Sequence, residues 1–231
     1  MIRIRLLMCA ILIITVSISA TKAQEMLGGS TSVKIGKQAM SLPDGTWMPV
    51  GQGFRSANIS GGGGLSSVRI EDRYFIQTAN GKIAALLWIA ASDIPTTWAR
   101  PNICTRSNVY LNTSKESGYD RDCMIVNHWI PSNPPGANAS QAYQDAYAAT
   151  QRFGGLPPTM VGAMFAMTNS SSYFTAEAWF NPDLTGIPAV REPWATSPWH
   201  KDRVTPDRAA YLQRIALWAE GYRAALRKNF Q

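Results

Sequence analysis

Asn80-Gly81, set between two apolar-rich runs in the stretch from Val68 to Ala91, constrains this chain more than any other feature. A two-residue hairpin turn needs positive φ at both central positions, and Asn-Gly is the pair that accepts it most readily. Closing the turn pairs Ala79 with Lys82 and sets a register. Carried outward without interruption, that register puts Val68, Ile70, Tyr74 and Ile76 on one face with Ile83, Ala85, Leu87 and Ile89. Phe75 then shares the other face with Ala84, Leu86, Trp88 and Ala90. The second strand is apolar on both sides, as a strand in the middle of a covered sheet would be.

The first 23 residues read as a targeting signal. Arg3 and Arg5 precede an apolar run from Leu6 to Ala20, and Thr21-Lys22-Ala23 places small residues where a signal peptidase cuts. The run is shorter than the roughly 20 residues that span a bilayer, and no later segment is long enough either. Cys9 is an apolar residue of this leader. The expectation is an exported protein, periplasmic or extracellular, with residues 24–231 as a single domain.

Removing Arg3, Arg5 and Lys22 from 22 basic residues leaves 19 against 15 acids, a surplus of +4. That surplus is too small to argue for nucleic acid, and no basic run interleaves with aromatics. Cys104 and Cys123 survive processing, and an even cysteine count in an exported chain reads as a disulfide.

Along the chain, Val33 to Met40 and Thr46 to Val50 read as short strands around a Leu42-Pro43-Asp44-Gly45 turn. Gly51 to Ser67, with four consecutive glycines from Gly61, reads as a loop; no Lys-Ser or Lys-Thr follows to make it a phosphate cradle. Asp93 to Asn102 reads as a crossing loop. Ile103 to Leu111 and Cys123 to Ile130 read as two strands joined by a charged excursion, in which Asp120 and Asp122 lack the spacing of a calcium loop. A helix is expected from about Ala139 to Phe153, capped by Asn138 with Gln141 as partner. Thr159 to Met167 and Tyr173 to Phe180 form a second hairpin, with Phe174, Ala176, Ala178 and Phe180 on one face and Tyr173, Thr175, Glu177 and Trp179 on the other.

The last element is an amphipathic helix. Thr205 caps it, Pro206 takes the first position, and Tyr211, Ile215, Trp218, Tyr222 and Leu226 follow one stripe. Arg223, Arg227 and Lys228 complement the negative end of the helix dipole. The stripe is expected to dock on the Phe75, Leu86 and Trp88 face. The fold class is therefore α+β: one antiparallel twisted sheet of about six to eight strands, the C-terminal helix on one face and a second, shorter helix.

Between the second hairpin and this helix lie some 25 residues with four prolines, long for a loop without a function. There Arg191, Glu192, Trp194, Trp199, His200, Lys201 and Asp202 bring charge and flat aromatic surface together. They are the candidate ligand-binding residues, for a saccharide or peptide; the alternative is that the two indoles pin the segment to the core. No Gly-x-Ser-x-Gly and no zinc-type histidine spacing is found, so neither catalytic residues nor a cofactor or metal is assigned. The functional expectation is an exported binding or accessory module of the cell envelope. An envelope hydrolase using His200 or His128, and a subunit of an envelope assembly docking through Trp194 and Trp199, are the rival classes.

Overall fold

The Asn80-Gly81 turn forms, with φ of 52° and 71°, and Ala79 faces Lys82 across it. The structure, a computed structural model, describes residues 32–36, 38–61, 64–92 and 101–230. The expected leader, the residues expected to follow it and the expected crossing loop over residues 93–100 lie outside them.

Strands β1 (Ser32–Ile35) and β2 (Gln38–Ser41) make a small hairpin. Seven further strands form one antiparallel sheet: β3 (Met48–Gly61), β4 (Gly64–Ala79), β5 (Lys82–Ser92), β6 (Leu111–Ser117), β7 (Asp120–Trp129), β8 (Met160–Thr168) and β9 (Tyr173–Phe180). Their spatial order is β3-β4-β5-β9-β8-β7-β6. Helix α1 (Gln141–Gln151) packs on β3 and β4, and α2 (Pro206–Asn229) on β7, β8 and the small hairpin. Among the described residues no helix is long and apolar enough to cross a membrane.

One extra residue reverses the faces expected of the first hairpin. Thr78 pairs with Ile83 but Gln77 with Ala85, so Ala84 is bulged out. A bulge shifts the alternation by one, and every side chain beyond it changes side relative to its partner strand. Phe75 therefore stands opposite Leu87, and Tyr74 opposite Trp88. The bulge is held by Asn181, whose backbone N–H donates to the Ala84 carbonyl and whose side-chain amide donates to that of Ile83, each at 2.9 Å.

The sheet consequently has two different faces. On the helix face Phe75, Leu87, Ile89, Phe165, Phe174, Ala176 and Ala178 pack with Tyr211, Leu212, Ile215, Tyr222 and Leu226 of α2. The helix docks beside Phe75 as expected, but Leu86 and Trp88 lie on the opposite face. That second face holds Ile76, Leu86, Ile125, Met164 and Trp179 under the segment carrying Ile103, Cys104 and Val109.

Other expectations need correcting. Of the stretch read as a loop from Gly51 to Ser67, residues 51–61 and 64–67 are instead paired arms of β3 and β4. Residues 103–110 are not a strand: Asn102–Thr105 is a 3-10 turn, and the polar run from Leu111 is the edge strand β6. An edge strand exposed on both sides needs no apolar alternation, and Gly118, with φ of 59°, supplies the tight turn into β7. Cys104 and Cys123 are disulfide-bonded, tying the 3-10 turn to β7.

The cap of α1 is Ser140, whose hydroxyl accepts from the Tyr143 N–H, and not Asn138. Thr205 precedes α2, but its hydroxyl bonds the Asp207 carboxylate rather than the helix backbone. At the other end Arg223 is buried; its Nε donates to Asp122 at 2.7 Å and Nη1 to Thr113 at 2.9 Å, while Arg227 pairs with Asp120 at 2.9 Å. Asp120 and Asp122 are thus not merely solvated: they anchor the helix end to β7.

Candidate functional site

On the face away from α2, the antiparallel ladder lines up Tyr74, Trp88, Glu177 and Met164 in one row across β4, β5, β9 and β8. Trp179 lies two residues along β9 from Glu177, on the same side. Tyr74, Trp88, Glu177 and Trp179, with Leu86, are the floor of an open trough of about 210 Å3. Tyr143 of α1 and Trp129 at the end of β7 form its walls.

Close approach of α1 requires Gly51 and Gly53. A Cβ at Gly51 would fall 2.2 Å from the Ala142 carbonyl oxygen, and one at Gly53 would press on the Ala142 side chain. The helix therefore rests on bare backbone, which brings Tyr143 within 5.7 Å of Tyr74, centroid to centroid.

The aromatic rings fall into two groups beside the carboxylate. Tyr74 stacks on Trp88 at 6.2 Å and meets Tyr143 at a tilt of 40°, while Trp129 and Trp179 lie 5.6 Å apart. Glu177 is next to both groups. Trp179 donates its indole N–H to Glu177 at 3.0 Å, and Trp88 donates its own to Asp72 at 2.9 Å. With both N–H groups engaged, these indoles offer π faces rather than donors.

Burial dominates the electrostatics here. It pushes the Glu177 carboxyl up to about 7, against the Trp179 hydrogen bond and the more distant Arg106 guanidinium, both of which favour the anion. Burial likewise raises the phenols of Tyr74 and Tyr143. Asp72 is also raised by burial, but it is ion-paired: Arg55 Nε lies 3.0 Å from it, and the same guanidinium sits 5.9 Å from the Trp88 ring centre.

The segment singled out from its composition lies on the other side of the sheet. Trp199 is completely buried against Tyr211, with Arg208 over its ring. Trp194 stacks on His128 at 4.0 Å and 8°, and His200 meets Trp194 edge-on at 6.0 Å. Arg191 donates to the Pro131 carbonyl, and Lys201 and Asp202 form an exposed ion pair. Glu192 is half-buried. His128, His200 and Trp194 are thus brought together, and Trp199 is turned inward away from them. Among the described residues neither ring nitrogen of His128 has a hydrogen-bond partner. Burial, and next the neighbouring His200, lower its pKa to about 4. His200 Nδ1 is 3.7 Å from the Asp202 carboxylate. Among the described residues no three His, Cys, Asp or Glu side chains converge as metal ligands would.

Comparison with protein-family models, curated proteins and solved structures finds no match for this chain. The trough's residues are scattered over β4, β5, α1, β7 and β9, and only the Glu177/Trp179 alternation was visible locally. Tyr143 reads from sequence as part of a buried helix stripe, and Trp129 as an unremarked strand end.

Proposed function

We propose that this chain is an exported, non-catalytic binding module whose working surface is the trough around Glu177. The observation that carries the reading is the convergence, from five separate elements, of three indoles and two phenols on one half-buried carboxylate. Five elements brought to one half-open cavity is the form of a ligand site rather than of a closed core. Export is supported by the arginine-led apolar leader and by the disulfide, which suits an oxidising compartment.

The hydrolase reading fits less well. Both imidazoles are on the opposite face from the trough, and among the described residues His128 has no hydrogen-bond partner to orient it as a base. Assembly through Trp194 and Trp199 also fits less well, since Trp199 exposes no surface. The test is fluorine NMR of the protein labelled with 5-fluorotryptophan, titrated with a panel of small sugars, amines and short peptides. Shifts confined to Trp88, Trp129 and Trp179 are expected; a response at Trp194 alone would move the site to the 191–202 segment.

A further inference from the structure

The two carboxylates on the trough face are built alike but completed differently. Asp72 accepts the Trp88 indole N–H, and a cation, Arg55, pairs with it and lies near the same indole ring. Glu177 accepts the Trp179 indole N–H in the same way, yet among the described residues no cation forms an ion pair with it. Arg106 is the base whose charge acts on it, and its guanidinium is directed at the Met164 sulfur, 3.8 Å away. One site is a carboxylate, an indole and a cation; the other is a carboxylate and an indole opening on a cavity.

We infer that the trough binds a quaternary ammonium group, held against the aromatic faces and neutralising Glu177. The inference rests on the binding-module reading and names its ligand class. Ring faces attract cations through their quadrupole, most strongly where water is excluded. A primary ammonium would bring three N–H donors to a site where one Glu177 oxygen is already taken by Trp179, and it is strongly hydrated in water. A trimethylammonium group has no N–H to satisfy. A saccharide would need several hydrogen-bonding partners, and with the Trp88 and Trp179 N–H groups spent the trough is richer in ring faces than in polar groups, which are the Glu177 carboxylate and the two phenols. The volume of about 210 Å3 is below the roughly 300 to 1,000 Å3 of pockets for drug-sized ligands, and suits a small head group.

The experiment is titration of the protein, followed by tryptophan fluorescence, with choline, its uncharged isostere 3,3-dimethylbutan-1-ol, ethanolamine and cellobiose. Choline is expected to bind at least tenfold more tightly than each of the others, and Glu177→Gln to weaken choline tenfold or more without changing the isostere. Equal binding of choline and the isostere, or binding of cellobiose in preference, would overturn the cation inference and leave the trough as a binding site. No response to any of the four would overturn both. Phosphatidylcholine vesicles separate the two sources of this chemistry: choline-competable cosedimentation assigns a lipid head group, and choline binding without it assigns a free solute.

Discussion

Trp179 and Glu177 stand on the same face of β9, two residues apart, with the indole N–H 3.0 Å from the carboxylate. The hydrogen bond fixes the ring beside the charge it stabilises, and the surrounding aromatics remove the water that would otherwise do so. Their combined effect on stability and binding can be measured.

Stability near pH 6 should be a balance of two opposed groups. Glu177 has a folded pKa of about 7 against an ordinary value of 4.5, so between these the folded state holds the extra proton and stability falls as pH rises. His128 has a folded pKa of about 4 against 6.5, so there the unfolded state holds the extra proton and stability rises with pH. Each slope is at most about 1.4 kcal/mol per pH unit. From pH 5 to 6.5 they oppose, and wild-type stability in urea should be nearly flat. Glu177→Gln should leave a rising profile and His128→Phe a falling one; parallel profiles for all three proteins would show that neither group is perturbed.

The tryptophans should separate by role. Trp199 is fully buried beneath α2, and Trp199→Ala should cost about 3 to 5 kcal/mol. Trp129 is half-buried at the trough wall, and Trp129→Ala should cost well under that while abolishing the choline-dependent fluorescence change. Chemical denaturation and ligand titration of the two variants give the comparison. Equal losses of stability would argue that Trp129 is core.

Gly51→Ala should lift α1 from β3, because a Cβ there meets the Ala142 carbonyl and backbone cannot step aside as a side chain can. A loss of about 1 to 3 kcal/mol is expected from such overpacking. Displacing Tyr143 should also weaken choline. Retained affinity and stability would mean that the helix has slack at this contact.

Arg223 and Arg227 lie one turn apart on α2 but should differ greatly. Arg223→Met leaves Asp122 half-buried without its partner, and should cost about 2 to 3 kcal/mol. Arg227→Ala breaks an exposed pair and should cost less than about 1 kcal/mol. Urea titration of each variant checks both, and comparable losses would show that Arg223 is not the anchor.

Much of the frame was legible because it depends on local chemistry. Asn80-Gly81, the Asn169 to Ser172 turn and the Pro206 helix start each carry their own geometry in one or two residues. What the sequence hides is the count between them. The bulge lies at Ala84 beside Ala85, where either residue fits either side, so nothing local marks the change of face; its anchor, Asn181, is about a hundred residues away. The trough was hidden for the same reason. Glu177 and Trp179 alternate on β9 as any half-exposed strand would, and they become a site only when β9 inserts beside β5. The Arg191 to Asp202 cluster stood out because its residues are adjacent in sequence, yet the fold turns Trp199 inward and leaves Lys201 and Asp202 to the solvent.

The most direct measurement is a carbon-13 NMR titration of the Glu177 side-chain carboxyl, free and saturated with choline. The free carboxyl should titrate near 7, and bound choline should lower that midpoint by a unit or more, since the cation favours the anion beside it. A midpoint near 4.5 that choline does not move would contradict a desolvated, cation-seeking carboxylate at the floor of the trough.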